Sequence, residues 1–337
     1  MGTWMRPLVL LLTLLLTGCL DPVQVPLRQE TAQLVVEGLL TNEANPFLRL
    51  SLTSQFGSSY EIEPVQGAYV EVRTTGGEAI VFRPVPGEVG IYKPLTTGFT
   101  TRIGQAYSLY LKLLDGREFG SEPQLLTAPI PINELRAEFT DKPRYGFQVY
   151  LDVKDPGNTE NHYRWTGRGY HQRRSKGVPV GFGTAVCCDR CWVLKEDQSV
   201  NSFSDALVNG SLITQRSVFL SPFYILGKHL IEIQQYSISR QAYQYWNRYK
   251  DQQKRTGTIF DPLPAPLLGN VVNLNDPKDI ALGFFEVASV TRKRIEPVAS
   301  TQGVIAANLT GNEYIPDGDC TSGFPFAIYI SEMPPGW

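Results

Sequence analysis

Histidine is scarce in this chain. Only His162, His171 and His229 occur in 337 residues, and none stands in a paired zinc spacing or an H-E-x-x-H run. A nucleophile elbow G-x-S-x-G is absent, as are a Walker loop and a dinucleotide fingerprint. An excess of charge of either sign is lacking too. The 31 basic and 33 acidic residues leave a net charge of −2, so nothing in the charge balance points to nucleic acid or another polyanion. Carboxylates are spread so widely that no pair singles itself out. Each histidine reads as a surface or half-buried polar residue without a catalytic partner. The expectation is a non-enzymatic protein with no catalytic residue, no metal and no cofactor.

Long apolar runs are also missing. Leu8 to Leu16 is the richest stretch and falls short of the roughly 20 residues a membrane span needs. It follows Arg6 and runs into Leu16-Thr17-Gly18-Cys19. A positive start, a short apolar core and a small residue at the cut are the layout of a secretory signal peptide. With cysteine directly after Gly18, the layout is also that of a bacterial lipobox. Residues 1–18 are therefore expected to be removed, and Cys19 to carry the lipid. More than one acyl chain, palmitate among them, would hold firmly where a single chain is marginal. The competing reading leaves Cys19 as an ordinary thiol. Leu20 supplies no acidic inner-membrane retention signal, which favours the outer membrane. With Asp21 the only acid close behind, the leaflet stays open.

Hydrophobic residues make up 42% of the chain, a globular proportion that argues against wholesale disorder. The 30 glycines and 24 prolines are dispersed, and 16 Tyr and 16 Phe accompany them. That combination predicts many short strands joined by turns. Residues 19–32 read as a tether. From 33 to 127 about seven alternating segments follow at close spacing, Phe47 to Thr53 and Tyr107 to Leu113 among them, with a hairpin dipeptide at Asp115-Gly116. An N-terminal antiparallel, Ig-like β-sandwich is expected there. Ser121 to Pro131, with three prolines, is the expected boundary. Residues 128–337 read as a larger β-rich domain. Its one change of period falls at 239–254, where Ala242, Tyr245, Trp246 and Tyr249 recur at helical spacing, with Ser237 or Ser239 as N-cap.

Beyond Cys19 four cysteines remain: Cys187, Cys188, Cys191 and Cys320. In an oxidising compartment they should form two disulfides, and three pairings are possible. A bond between the neighbours Cys187 and Cys188 is the least expected, because it strains the backbone. A zinc site is the competing reading of the C-x-x-C, but a second such pair is missing. A redox motif lacks its strand-then-helix setting.

Two stretches suit binding. Tyr163 to Lys176 interleaves rings and cations, with Tyr163, Arg164, Trp165, Arg168 and Tyr170 as candidates for an anchoring surface or an anion site. Alternation puts Tyr163 and Trp165 on one face and Arg164 on the other. The plainer reading is a strand with core aromatics running into a basic loop. The second stretch is the helix with Tyr243, Tyr245, Trp246 and Tyr249, a conceivable stacking platform together with the proline-rich segment after it. Its plainer reading is a helix packing its rings onto a sheet.

Some of these residues are recognisable together. Gly257-Thr258-Ile259-Phe260-Asp261-Pro262, then Pro264, Pro266, Gly269-Asn270 and Asn273, then Leu282-Gly283-Phe285 and Ser289, follow the helix. With the lipobox, Val35-Glu37-Gly38, Ala68-Tyr69-Val70 and the CCxxCW run at Cys187 to Trp192, the chain resembles the bacterial lipoprotein family catalogued as domain of unknown function 4249. The resemblance implies an exported lipoprotein of Bacteroidota-type bacteria and a transthyretin-like character for the front sandwich. It also implies a partnership with TonB-dependent outer-membrane receptors. It carries no catalytic residues. The expected function is a lipid-anchored accessory or binding component of such a nutrient receptor, with a small molecule, peptide or glycan as ligand. A structural or adhesive envelope protein is the first alternative, and a hydrolase with an unrecognised site the second.

Overall fold

The structure, a computed structural model, describes residues 32–44, 46–54, 63–96, 98–181, 186–197, 199–223, 228–254, 266–297, 315–324, 327–328, 334 and 336–337. The signal segment, Cys19, all but the last residue of the tether, and most of the proline-rich segment after the helix lie outside the described residues. The fold is mostly β. The first half holds β1 (Leu34–Leu40), β2 (Phe47–Leu52), β3 (Glu63–Pro64), β4 (Tyr69–Thr74), β5 (Ala79–Val85), β6 (Glu88–Pro94), β7 (Ala106–Lys112), β8 (Glu118–Ser121) and β9 (Gln124–Leu125). The second half begins with β10 (Glu134–Thr140), β11 (Gly146–Lys154), β12 (His162–Arg174), β13 (Val178–Pro179), β14 (Val186–Cys187), β15 (Arg190–Glu196), β16 (Asn201–Ser204), β17 (Leu212–Pro222) and β18 (His229–Ile238). Helix α1 (Arg240–Gln253) follows, then β19 (Leu268–Asn273), β20 (Ile280–Val287) and β21 (Ser289–Ile295). A one-turn helix α2 (Cys320–Gly323) and β22 (Ala327–Ile328) come last.

The front strands do not form a two-sheet sandwich. Nine strands pair in a closed ring, in the order β1-β20-β19-β8-β7-β4-β5-β6-β2 and back to β1. Closure leaves none of the nine with an unpaired edge. It depends on β19 and β20, which return to the ring from far beyond the Ser121–Pro131 stretch. Alternation in β1 shows why the ring holds: Leu34, Val36 and Leu40 point inward while Glu37 faces out. Tyr92, Phe82, Phe119 and Phe285 fill the interior with aliphatic neighbours. Gly283 is required where β20 runs parallel to β1. Its φ is 79°, and a Cβ there would meet the Val36 carbonyl oxygen at 2.2 Å.

The sandwich is in the second half. A three-stranded sheet, β10-β11-β17, packs on a sheet ordered β21-β18-β12-β15-β22, with β16 also on β12. Phe147, Val149, Leu151 and Phe219 from the first meet Tyr163, Trp165, Ile231 and Ile233 from the second. Gly167 lies under the Phe219 ring, where a Cβ would come within 2.2 Å of it. One residue, Ala288, separates β20 of the ring from β21 of the sandwich, and its N–H donates to the Leu40 carbonyl at 3.0 Å. Ring and sandwich are thus consecutive on one strand path.

The disulfides correct the expected pairing. Cys187 bonds its neighbour Cys188, and Cys191 bonds Cys320 across 129 residues. Burial explains the choice. Cys191 on β15 and Cys320 at the start of α2 are both fully buried and face each other. Asp319 caps α2 through the Thr321 N–H, and the Cys320 N–H donates to the Cys188 carbonyl at 2.8 Å. The buried pair takes each other, and Cys188, with φ 63°, turns the chain so that the two neighbours meet. Replacing Cys320→Ser is expected to free one thiol, that of Cys191. The loss of so long a loop closure costs about 4 kcal/mol in the chain-entropy account. A thiol titration together with urea unfolding checks both; four free thiols in exported wild-type protein would refute the pairing.

Candidate functional site

Strand β12 behaves as its alternation predicts. Tyr163 and Trp165 enter the sandwich core, stacked with ring centres 5.7 Å apart. Each finds a polar partner: the Tyr163 hydroxyl donates to Asp155, and Trp165 Nε1 donates to Gln235 Oε1 at 2.9 Å. They are core residues and not a binding surface. Arg164 projects from the opposite face. Its guanidinium lies between the rings of Tyr236 at 4.4 Å and Trp246 at 4.6 Å, and its Nη2 donates to Glu286 Oε1 at 2.7 Å.

Helix α1 brings Trp246 there. Ser239 is its N-cap, with Oγ accepting from the Ala242 N–H at 3.1 Å. Ala242, Tyr245, Trp246 and Tyr249 occupy one face, and Ala242 is the buried contact that lets the helix approach the sheet. Trp246 Nε1 donates to the second oxygen of Glu286. Glu286, near the end of ring strand β20, is therefore held by Arg164 of the sandwich and Trp246 of the helix. Its side chain is 3% exposed and that of Arg164 11%. Removing both charges from water costs several kcal/mol each, and only their direct pairing offsets it. Arg164 Nε finds no acceptor among the described residues.

Beside this pair opens a cleft of about 340 Å³. Tyr245, Trp246 and Tyr249 of α1 form one wall, and Phe47 of β2 and Phe284 of β20 contribute two further rings. Trp246 stands nearly perpendicular to both tyrosines, at 81° to Tyr245 and 78° to Tyr249. Burial pushes the Tyr245 hydroxyl above its ordinary pKa, so it stays protonated and a donor. A second ion pair, Arg49 to Glu37 at 3.2 Å, lies half exposed in the lining. Both signs of charge are present and each is matched.

Of the residues singled out in the sequence, only Arg164, Trp246, Tyr245 and Tyr249 meet at the cleft. Arg168 pairs with Glu196 at 2.8 Å on the sheet surface, and Tyr170 is buried against Trp192 and Leu230. Glu37, Arg49, Phe47, Phe284 and Glu286 were not read as binding residues. Glu286 left one signal, an acid inside the apolar run Phe284-Phe285-Glu286-Val287.

The histidines lie elsewhere. His162 lies against Tyr243 with ring centres 4.9 Å apart and planes tilted by 45°, it reaches Glu160 at 3.2 Å, and burial lowers its pKa. His171 and His229 face each other across β12 and β18 with ring centres 4.1 Å apart. Ser221 Oγ and His229 Nε2 share a hydrogen bond of 2.7 Å, which resembles a nucleophile with its base. The pair is closed in by packing. Ser221 is fully buried, and even a Cβ on Gly169 would strike its Oγ at 2.3 Å. Two carboxylates also converge, Asp155 and Asp205, both buried. They accept from the Gly210 N–H at 2.7 Å and the Asn161 N–H at 2.9 Å, so they tie loops together. Burial and the neighbouring Asp155 push Asp205 upward, against the hydrogen bonds from Asn161. Among the described residues no three His, Cys, Asp or Glu side chains are grouped to hold a metal ion.

Two outcomes follow for stability. Arg164→Met strands the Glu286 carboxylate and is expected to cost about 3–5 kcal/mol, while Arg164→Met with Glu286→Leu recovers most of it. Urea unfolding of the three proteins measures this. The histidine pair sets a pH dependence. Burial holds His171 down to about pKa 2 and His229 to about 3, against about 6.5 in the unfolded chain. The unfolded state therefore binds more protons below that value. Stability is full above about pH 6.5 and falls below it by about 1.4 kcal/mol per pH unit for each histidine. His171→Asn should lower the slope between about pH 6 and 5 by about 1.4 kcal/mol per pH unit and leave the part due to His229 and to the likewise lowered His162, in a window chosen above most carboxylate titrations.

A comparison with curated proteins finds no match. The family model described as a domain of unknown function, DUF4249, matches residues 20–294 and so takes in the ring, the sandwich core strands, helix α1 and every residue of the cleft. The chain belongs to the DUF4249 family.

Proposed function

We propose that this protein is a non-enzymatic, lipid-anchored component of the outer membrane that binds a solute in the aromatic cleft and works with a TonB-dependent nutrient receptor. Residues 1–18 are the cleaved signal, Cys19 carries the lipid, and residues 19–32 tether the folded body. The observation that carries the binding role is the cleft itself. Five rings and two matched ion pairs converge where ring, sandwich and helix meet, and the buried pair holds the walls in place before any ligand arrives. The serine–histidine contact and the paired aspartates, which a hydrolase would need open to substrate, are both closed in by packing.

The anchoring is tested by Cys19→Ser. Metabolic labelling with palmitate is expected to mark the wild type and not the variant, and the variant should leave the membrane fraction. The partnership is tested by affinity purification from gently solubilised outer membranes. A stoichiometric β-barrel receptor is expected. Recovery of the protein alone, with uptake unchanged on deletion, would reject the accessory role.

A further inference from the structure

The charges of the cleft restrict what it can hold. Arg164 and Glu286 are closed on each other inside, and Arg49 and Glu37 at the more open side. A phosphate, an ammonium or a carboxylate would have to break one of these pairs or enter with its own charge unmatched. A wholly apolar guest would strip water from Arg49 and Glu37 and return no hydrogen bond. The remaining class is a neutral molecule with apolar faces and an edge rich in groups that both donate and accept. Hydroxyls meet that need, because one can accept from the Arg49 guanidinium while its neighbour donates to the Glu37 carboxylate, and the ion pair stays intact.

The rings set the shape. Trp246 stands across Tyr245 and Tyr249 at close to a right angle, with centres 5.4 and 5.8 Å away, so the helix offers a corner of one face and two adjoining rings. A flat ring carrying C–H groups on its face fits such a corner through dispersion and the ring quadrupole. The volume of about 340 Å³ lies at the small end of ligand pockets, the scale of one or two sugar rings. We propose that the cleft binds a pyranose ring of a neutral saccharide, its C–H face on the aromatic wall and its hydroxyls on Arg49 and Glu37. This assignment rests on the reading of the protein as a binding component.

The test is isothermal titration of the full, lipidated protein in detergent with four neutral trisaccharides: maltotriose, cellotriose, mannotriose and fully N-acetylated chitotriose. One saturable site is expected for at least one of them. Tyr249→Ala, and separately Glu37→Gln with Arg49→Gln, should each weaken it by about tenfold or more. These side chains lie outside the Arg164–Glu286–Trp246 set, so the variants should keep the wild-type melting temperature. Where either variant lowers it, Tyr249→Leu or the single Arg49→Gln takes its place with the same expected loss, and Tyr249→Phe, which keeps the ring, is the control expected to bind as the wild type does. Absence of binding by all four sugars overturns the assignment, as does binding that ignores the substitutions. Binding of choline or of a phenylalanine dipeptide in their place overturns it too. Receptor recovery is read separately. A receptor bound to a protein blind to saccharides removes the ligand and leaves the accessory role, and saccharide binding without a receptor does the reverse.

Discussion

The buried ion pair between Arg164 and Glu286 is the contact on which the rest of this molecule turns. Arg164 belongs to a central strand of the sandwich, Glu286 to the ring, and Trp246, which completes the carboxylate's hydrogen bonding, to the helix. A charge this deep is tolerated only when its partners are fixed. The pair therefore specifies how three parts of the fold meet more than it adds to net stability. The Arg164 guanidinium stacked between Tyr236 and Trp246 adds a packing requirement to the electrostatic one.

The strand path reinforces that junction. β20 closes the ring beside β1, and after a single residue the chain continues as β21 at the edge of the sandwich. A shift of either part would disturb both the parallel pairing at Gly283 and the register at Ser289. The cleft sits beside this crossing, between elements that cannot slide independently. Its walls come from β1, β2, β12, β20 and α1, so it exists only once the ring has closed and the helix has docked. Such a site is formed before its ligand arrives, which lowers the ordering cost of binding.

Local pattern made much of the architecture readable. The strands of the first half stand where alternation and turn residues put them, and the helix begins at the serine its capping chemistry favours. Alternation also placed Arg164 opposite Tyr163 and Trp165. What failed was partnership at long range. Alternation says which face of a strand is buried, but the same pattern serves a sandwich sheet and a closed ring. The return of β19 to a strand about 150 residues earlier, and of β20 to one about 250 residues earlier, leaves no local mark. The cysteines failed for a related reason. Strain at adjacent residues argued against the Cys187–Cys188 bond, yet the burial of Cys191 against Cys320 decided the matter and left the neighbours to each other.

The candidate site divides along the same line. From the sequence alone came its chemistry in part: an arginine facing away from the core aromatics, and a helix rich in tyrosine and tryptophan. Composition also balanced the charges, and the lipobox pattern set the expected address of the protein. Tertiary structure decided that Arg164 and Trp246 would meet, that Glu286 would join them, and that Phe47, Phe284, Glu37 and Arg49 would line the same space. It also decided that Ser221 with His229, and Asp155 with Asp205, would be sealed. A sequence records the kind of each side chain and the period of its neighbours. Which distant groups share a pocket, and whether water or substrate can reach them, is set by packing among elements far apart in the chain.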